Sequence, residues 1–535
     1  MPKIEKDLAV IDFETDPFQY GVEPRPFAAG YYTSDDYQKF WGDDCVEQLI
    51  DYLKDESPRV IYAHNGGKFD FFFMLDYLDE KLKIINGRIS QASILNGLHE
   101  LRDSYLILPM PLKTHGKKVI SYRKFRKQFR EKYKQEILSY LYYDCASLYD
   151  WVKSFRDLYG SGLTLAGAAF KQLKQTDYPV SNTYTTFDER FRPFYFGGRV
   201  QCFKVGSFHG KYKYVDINSA YPFAMMSKHW NGASYLEVFK LPKTGDFFAI
   251  IDAVSKGALP TKVGGKLFFP DDSICREYYA SGWEILAGLE TNTLTIINIK
   301  KIYVPTFTND FSEYVEKFFT IKLQAEKDGD TTARTFAKLM LNSCYGKFGQ
   351  DGRKYEKFAI APLGGYPEGD GWASYSDLES GHCIFSQPDP SDNFYNVATA
   401  ASITGFVRAY LWRAICTSGG VLYCDTDAIL CSEFAGDVGD KLGQWDIEAE
   451  PVEIHIAQRK MYAIKMGDGS TKKACKGVRL SFNQIKSGVE NKQNNVFKRA
   501  APAYSLKYGA RFFTREINFK DYEKNASNNP PTGVE

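Results

Sequence analysis

The chain has 535 residues, a net charge of +2 and a hydrophobic share of 44%; that length predicts about three or four domains with large packed cores, and the summed charge points to no particular partner. Its ten cysteines form no CxxC pair, which speaks against a zinc or iron–sulfur site and fits free thiols in a reducing, intracellular setting. No apolar run approaches the roughly 18 residues needed to span a bilayer, and the opening "MPKIEKDLAV" lacks an apolar signal core.

In chain order, "LAVIDFETDPF" predicts a buried strand and a turn. Side chains alternate along a strand, so Asp12 and Glu14 share a face. "VIYAHNGGKFDFFFML" predicts a second strand, a turn at Gly66 and Gly67, and a helix beginning near Asp70. From Lys113 to Lys134 the chain carries ten Lys or Arg and one Glu. Such a run is either a solvated face or a phosphate-facing stripe, and the second is favoured here. "EILSYLYYDCASLYDWV" has helical periodicity, and Tyr140 and Asp144 fall on one face of it. Taken singly, Asp12 is a strand-end residue, Asp70 a helix cap and Asp144 a surface charge. Taken together, four carboxylates and a tyrosine suit a two-metal hydrolase in which Tyr140 orients the water.

"KYKYVDINSAYPFAMM" predicts a strand ending in a turn, with Asp216 where the apolar run breaks. A stretch of about 227 to 310 separates it from "RTFAKLMLNSCYGKFG", a helix with Lys338, Asn342 and Tyr345 at i, i+4 and i+7. An exposed face is one reading of that triplet; a cation for triphosphate oxygens and a ring for base and sugar is the other. The Gly-, Pro- and Ser-rich "PLGGYPEGDGWASYSDLESG" reads as a hairpin within 351 to 392. "YCDTDAIL" places Asp425 and Asp427 at a tight turn between two short strands. Two anions so close need a positive partner, and a divalent metal is the usual one. Asp216 completes the set, with the backbone carbonyl of Ile217 as a further ligand. A second basic, aromatic stretch, "FKRAAPAYSLKYGARFFTR", precedes "NASNNPPTGVE", which predicts a disordered tail.

"DFET", "HNGGKFD" and "YLYYD" resemble the three motifs of the proofreading 3′→5′ exonuclease domain of DNA polymerases. The resemblance implies that Asn65 and Phe69 hold single-stranded DNA and that Lys124, in "ISYRKF", assists. "DINSAYP", "KLMLNSCYG" and "YCDTDA" resemble motifs A, B and C of family B DNA polymerases. "RKMYAI" resembles the K-x-Y motif, with Lys460 and Tyr462 at the primer end. "FYFGGR", with Tyr195, Gly197 and Gly198, resembles the Y-x-G-G motif of the protein-primed subgroup, and "WGDDC" and "YAHNGGKFDF" resemble its tectivirus branch. The order and spacing of these motifs cover nearly the whole chain. Two departures are visible: Ala428 stands where motif C carries Ser, and Ala220 where motif A carries Leu or Met.

The resemblance implies an α/β multidomain fold, a ribonuclease-H-like 3′–5′ exonuclease domain plus a right-hand polymerase domain of palm, fingers and thumb. The expected division is 1–165 exonuclease, 166–226 palm, 227–310 insertion contacting the priming protein, 311–350 fingers, 351–392 strand-displacement hairpin, 393–458 palm and 459–535 thumb and tail. It further implies Mg²⁺, two per active site with Mn²⁺ able to substitute. Asp216 and Asp427 would bridge the metals and Asp425 support the primer terminus. Lys338 and Lys327 would face the phosphates, and Tyr221 would exclude a 2′-hydroxyl. Expected partners are primer-template DNA, dNTPs and a terminal protein, with a monomeric enzyme that pairs with that protein at initiation, in the cytoplasm of a bacterial host. Two other readings are a nuclease whose polymerase half has decayed and a non-catalytic replication initiator.

Overall fold

A computed structural model describes residues 6–111, 119–176, 180–391 and 395–519. The start of the first basic stretch and the expected disordered tail lie outside these residues. The chain divides into two compact units. The first holds the chain up to Ala168, with Arg353–Ser391 and Lys498–Thr514; the second holds the remainder.

The first unit is built on a ten-stranded mixed sheet. Strand Asp7–Thr15 is third from one edge, parallel to Arg59–Ala63 and antiparallel to Pro26–Tyr32. Arg59–Ala63 runs parallel to His99–Asp103 in turn. Helices cover both of its faces, so this strand reads as one apolar run with acids set into it. On one face Ala9, Ile11 and Phe13 join Leu49, Ile50 and Leu53 of helix Cys45–Lys54 in the main core. The alternate residues, Asp12 and Glu14, face helix Lys134–Tyr159, whose buried stripe includes Ile137, Leu141, Cys145 and Val152. That helix stops at Gly160, which takes φ +79°.

The segment beginning at Asp70 is a 3₁₀ run, Asp70–Tyr77, rather than the expected α-helix. Three successive phenylalanines lose rotamer freedom in an α-helix, and the tighter turn aligns buried Phe71 and Met74 on the core side. The expected hairpin within 351–392 is three strands, Glu356–Pro362, Ala373–Leu378 and His382–Pro388. They extend the first unit's sheet, where Phe358 pairs with Leu82 of strand Lys81–Ile85. Phe358, Ile360, Leu378 and Ile384 share one core with Leu82, Ile89 and Ile94.

The second unit contains a five-stranded sheet in the order Trp445–Ala449, Lys213–Ile217, Ala428–Cys431, Tyr423–Asp425, Val200–Cys202. A four-stranded antiparallel sheet is formed by His229–Val238, Leu294–Asn309, Phe248–Lys256 and Asp271–Ser281. Helices Ser312–Asp328 and Thr331–Ser343 form a hairpin. Gly329 turns it with φ +71°, and Asp330 caps the second helix by accepting from the N–H groups of Thr332 and Ala333. Helix Val397–Thr417 is apolar nearly all round and correspondingly buried. Among the described residues no helix is long and apolar enough to cross a membrane.

The shared core of the first unit predicts a measurable dependence on its late segment. Ile384 is fully buried, so Ile384→Ala should destabilise that unit by about 2–4 kcal/mol in denaturant unfolding. Removing Arg353–Ser391 should strip hydrogen-exchange protection from Lys81–Ile85. Unchanged protection there would show that the strand needs no neighbour on that side.

Candidate active sites

The first site forms where helix Lys134–Tyr159 crosses strand Asp7–Thr15. The helix comes close because Gly30, opposite Asp12 in the sheet, has no side chain; a Cβ there would lie 2.8 Å from Cys145 Sγ. Asp12, Glu14 and Asp144 each bring one carboxylate oxygen within 4.8 Å of the others. Three oxygen donors so close are the set a hard divalent cation takes. Asp70 is not one of the trio but faces the same thiol. Burial and the charges of Asp12, Asp144, Glu14 and Asp70 hold Cys145 well above the ordinary thiol range. Burial also raises the Asp70 carboxyl, offset by the N–H groups of Asp70 and Phe13 and reinforced by Asp103. Tyr140 is buried beside Asp144 and Glu14, and burial followed by those charges raises its phenol.

Of the other residues expected here, Asn65 takes a left-handed φ of +62° ahead of the turn Gly66–Lys68. Phe69 meets Phe18, Phe73 and Tyr504 edge-on. Lys124 pairs with Glu136 at 2.5 Å and lies over the Tyr133 ring.

The second site lies on the five-stranded sheet. Asp216 pairs in register with Ala428, which also pairs with Asp425, and the Ile217 N–H donates to the Asp427 carbonyl at 2.8 Å. Asp216 and Asp427 are thereby held together. Burial first, then Asp427 and Glu448, pushes Asp216 up to about 7, with Lys472 and Lys338 pulling the other way. Burial, then Asp425 and Glu448, pushes Asp427 up to about 6. Asp425 is engaged differently. Its carboxylate accepts from Tyr423 Oη at 3.0 Å and Thr426 Oγ1 at 3.3 Å, and pairs with Lys460 Nζ at 3.0 Å.

The turn between the two acids is strained. Thr426, a β-branched residue, sits at φ +61°. Its N–H donates to the Arg199 carbonyl at 2.6 Å, and its side chain packs on Gly198, where a Cβ would lie 2.7 Å from Thr426 Cγ2. The Arg199 guanidinium donates to Gln201 Oε1 and the Gly257 carbonyl and stacks between Phe269 and Trp412, each centroid 4.2 Å away. Burial pulls it down to about 10. Arg408 then braces the preceding loop by donating to the carbonyls of Phe196 and Gly197 while pairing with buried Glu284. Tyr195 packs against Gly349, and its carbonyl accepts from Lys262.

Tyr221 stacks flat on Tyr345, with centroids 3.9 Å apart and planes 6° from parallel. Lys338 and Asn342 are exposed on helix Thr331–Ser343. Lys327 is exposed in the last turn of the preceding helix. Lys322, unnamed by the sequence reading, is the half-buried lysine in the field of Lys338 and Arg334, and burial lowers it. Lys460 takes φ +57° and donates its N–H to Tyr423 Oη at 3.2 Å, while Tyr462 Oη donates to Tyr214 Oη at 3.2 Å. Tyr423, Arg199, Arg408 and the Glu448–Lys472 pair escaped the sequence reading. Arg199 directly follows the Gly-Gly pair and Tyr423 directly opens "YCDTD", so adjacency was the available signal; the others carried none.

Over residues 114–405 the chain matches the family described as DNA polymerase type B, organellar and viral. It is 40% identical over 484 residues to the DNA-directed DNA polymerase of Enterobacteria phage PRD1, covering 89% of this chain and 86% of that protein. Its fold matches Phi29 DNA polymerase complexed with primer-template DNA and incoming nucleotides at a TM-score of 0.73 and 17% identity, over 96% of this chain and 100% of that one. Phi29 DNA polymerase complexed with single-stranded DNA matches at 0.71 and 18% identity, over the same 96% and 100%. The fold is thus an exonuclease domain joined to palm, fingers and thumb. On the strength of the family match and of the identity to the phage enzyme, the chain belongs to the organellar and viral type B DNA polymerases.

Proposed function

We propose that this DNA polymerase replicates a linear viral or plasmid genome by protein-primed initiation, with strand displacement and 3′–5′ proofreading. The observation that carries the synthetic chemistry is the pair Asp216 and Asp427, half-buried and tied together through the Ile217 N–H and the Asp427 carbonyl, with both carboxyls raised. Keeping two acids together and partly withdrawn from water is costly unless cations neutralise them. Asp216, Asp427 and the Ile217 carbonyl would hold one pair of Mg²⁺ ions, with Mn²⁺ able to substitute and Asp425 supporting them near the primer terminus. Asp12, Glu14, Asp70 and Asp144 would hold the other pair. Bound there, the ions supply activation of the attacking oxygen and neutralisation of the leaving one.

The remaining roles fall to the chain's own groups. Lys338, with Lys327 and Lys322, offsets triphosphate charge. Asn342 and Tyr345 face the incoming nucleotide, and Tyr221 blocks a ribose 2′-hydroxyl. Lys460 and Tyr462 hold the primer end, with Tyr195, Gly197 and Gly198 on the template path. In the first unit Asn65 and Phe69 hold the strand to be degraded and Tyr140 orients the water. Lys124, paired with Glu136, assists there.

Support for protein priming comes from the Y-x-G-G and tectivirus-like motifs. Residues 227–310 are read as the docking surface for a terminal protein, forming a heterodimer at initiation, and 351–392 as the strand-displacement element. The other divisions are read as 1–165 exonuclease, 166–226 and 393–458 palm, 311–350 fingers and 459–535 thumb and tail, although Lys498–Thr514 belongs to the first compact unit. The phage relative supports action in the cytoplasm of a bacterial host. The test of the whole reading is Mg²⁺-dependent incorporation of labelled dNMP, with and without a candidate terminal protein. Transfer of label to that protein, stable to boiling in detergent, is expected; a strict need for RNA primers would refute priming by protein.

Three further outcomes are expected. Asp427→Asn should lower primer extension by about 10³-fold or more while leaving 3′–5′ degradation, and Asp12→Ala with Glu14→Ala should do the reverse. Loss of both activities from either change, in a folded protein, would contradict two separate sites. Tyr221→Val should raise ribonucleotide incorporation about tenfold or more, since one removed clash is worth about 1–3 kcal/mol; unchanged discrimination would move the barrier elsewhere. Finally, Asp216 and Asp427 bind protons more tightly folded than unfolded, so their contribution to stability is greatest below the unfolded value of 3.8 and is lost as pH rises through about 6 and 7. In chelator, melting temperature should fall over pH 5–8 by an amount equivalent to about 1–2 kcal/mol after allowance for solvent screening. Mg²⁺ should reverse the fall, and Asp216→Asn should flatten it.

A further inference from the structure

The first unit contains an internal ion pair that lies apart from the acidic trio. Arg88, on strand Arg88–Ile94, donates from Nη1 to Asp103 Oδ2 at 2.5 Å. The Asp103 side chain has no solvent exposure and that of Arg88 only 11%. Asp103 also accepts the N–H of Tyr105 at 2.9 Å and of Gly67 at 3.2 Å. The guanidinium lies 4.7 Å over the Tyr105 ring. Arg88 is thus held by charge, by hydrogen bond and by a ring face. The same Nη1 makes one more contact, to Asn65 Oδ1 at 3.3 Å.

That contact determines what Asn65 can do. A guanidinium carries donors and no acceptor. The Asn65 atom facing it must be the carbonyl oxygen, which settles the sense of an amide that shape alone leaves open. The NH₂ group therefore lies on the far branch, on a residue that is partly exposed. Two residues after the left-handed Asn65, the Gly67 N–H donates to the same Asp103 carboxylate. One buried acid thus ties down the turn that follows Asn65 and, through Arg88, its side chain.

We propose that Arg88, braced by Asp103, is a positioning residue for exonuclease substrate binding: it makes Asn65 a hydrogen-bond donor, so the group Asn65 takes on a single strand is an acceptor. This rests on the exonuclease reading above. Loss of Arg88 frees the amide to flip and present its oxygen, which repels strand acceptors. The cost falls on binding rather than on the chemical step.

The test uses the full-length chain with a single-stranded oligonucleotide as probe. Arg88→Gln should raise KM for degradation about tenfold with kcat changed far less, since misplacing a binding group mainly weakens binding. Adding Asn65→Ala to Arg88→Gln should cost nothing further, because both remove one interaction. Asn65→Asp keeps the acceptor for Arg88 but offers no donor to the strand. It should melt no lower than the parent chain yet degrade as poorly as Asn65→Ala. Multiplying losses in the double variant, or parental degradation by Asn65→Asp, would overturn the proposal. A parent chain that degrades no single strand at all would instead overturn the exonuclease reading.

Discussion

Asp216 and Asp427 repel one another in a place where water screens them poorly, and the second unit is arranged around keeping them there. Left alone, the turn that carries Asp427 would relax. It would release Thr426 from its left-handed backbone and carry the carboxylate toward solvent. Three things prevent this. The Ile217 N–H holds the Asp427 carbonyl, the Arg199 carbonyl holds the Thr426 N–H, and Gly198 leaves the space into which Thr426 packs. Behind them, Arg408 and Glu284 form a bidentate pair with each side chain about 1% exposed. Removing either partner would leave a bare charge in the interior, a loss of about 3–5 kcal/mol. The strain at the turn is sustained by this buried scaffold rather than by local preference.

The two sites solve the same problem with different secondary structure. In the first, a helix face is lowered onto a strand, and the depth of approach is set by the absence of a side chain at Gly30. In the second, Asp216 comes from a strand and Asp427 from the turn leading into the neighbouring strand, and their separation is set by sheet register. The second also carries its own countercharges. Lys460 neutralises Asp425 directly, and Lys472 answers Glu448 next to the raised pair.

The acids were legible because their spacing is short-range: alternate residues on a strand, i and i+4 on a helix, a single residue between two aspartates. The helical character of residues 134–159 and 331–343 was legible for the same reason. What holds those acids was not. Arg88 finds Asp103, and Arg408 finds Glu284, through pairings that no local pattern announces. Thr426 in a left-handed conformation runs against its propensity and is imposed by a distant carbonyl. Lys124 stood in the expected motif, and its pairing with Glu136 of helix Lys134–Tyr159 was not announced by it. The Gly-rich stretch after Pro362 correctly signalled a turn, but the strands flanking it belong to a sheet begun far earlier in the chain.

That last feature has a consequence for synthesis of the protein. The first unit's core is assembled from three stretches of chain, the last contributing Leu506. A ribosome delivers them in order, so strand Lys81–Ile85 must wait for its neighbour until most of the polypeptide exists. During that interval an unpaired strand edge is available to other chains, and loop closure over so long a span is slow. The second unit's first half therefore emerges while the first is incomplete. Folding of the nascent chain is then not strictly N-terminal first, and yield in cells should depend on translation rate and on chaperones that shield open sheet edges.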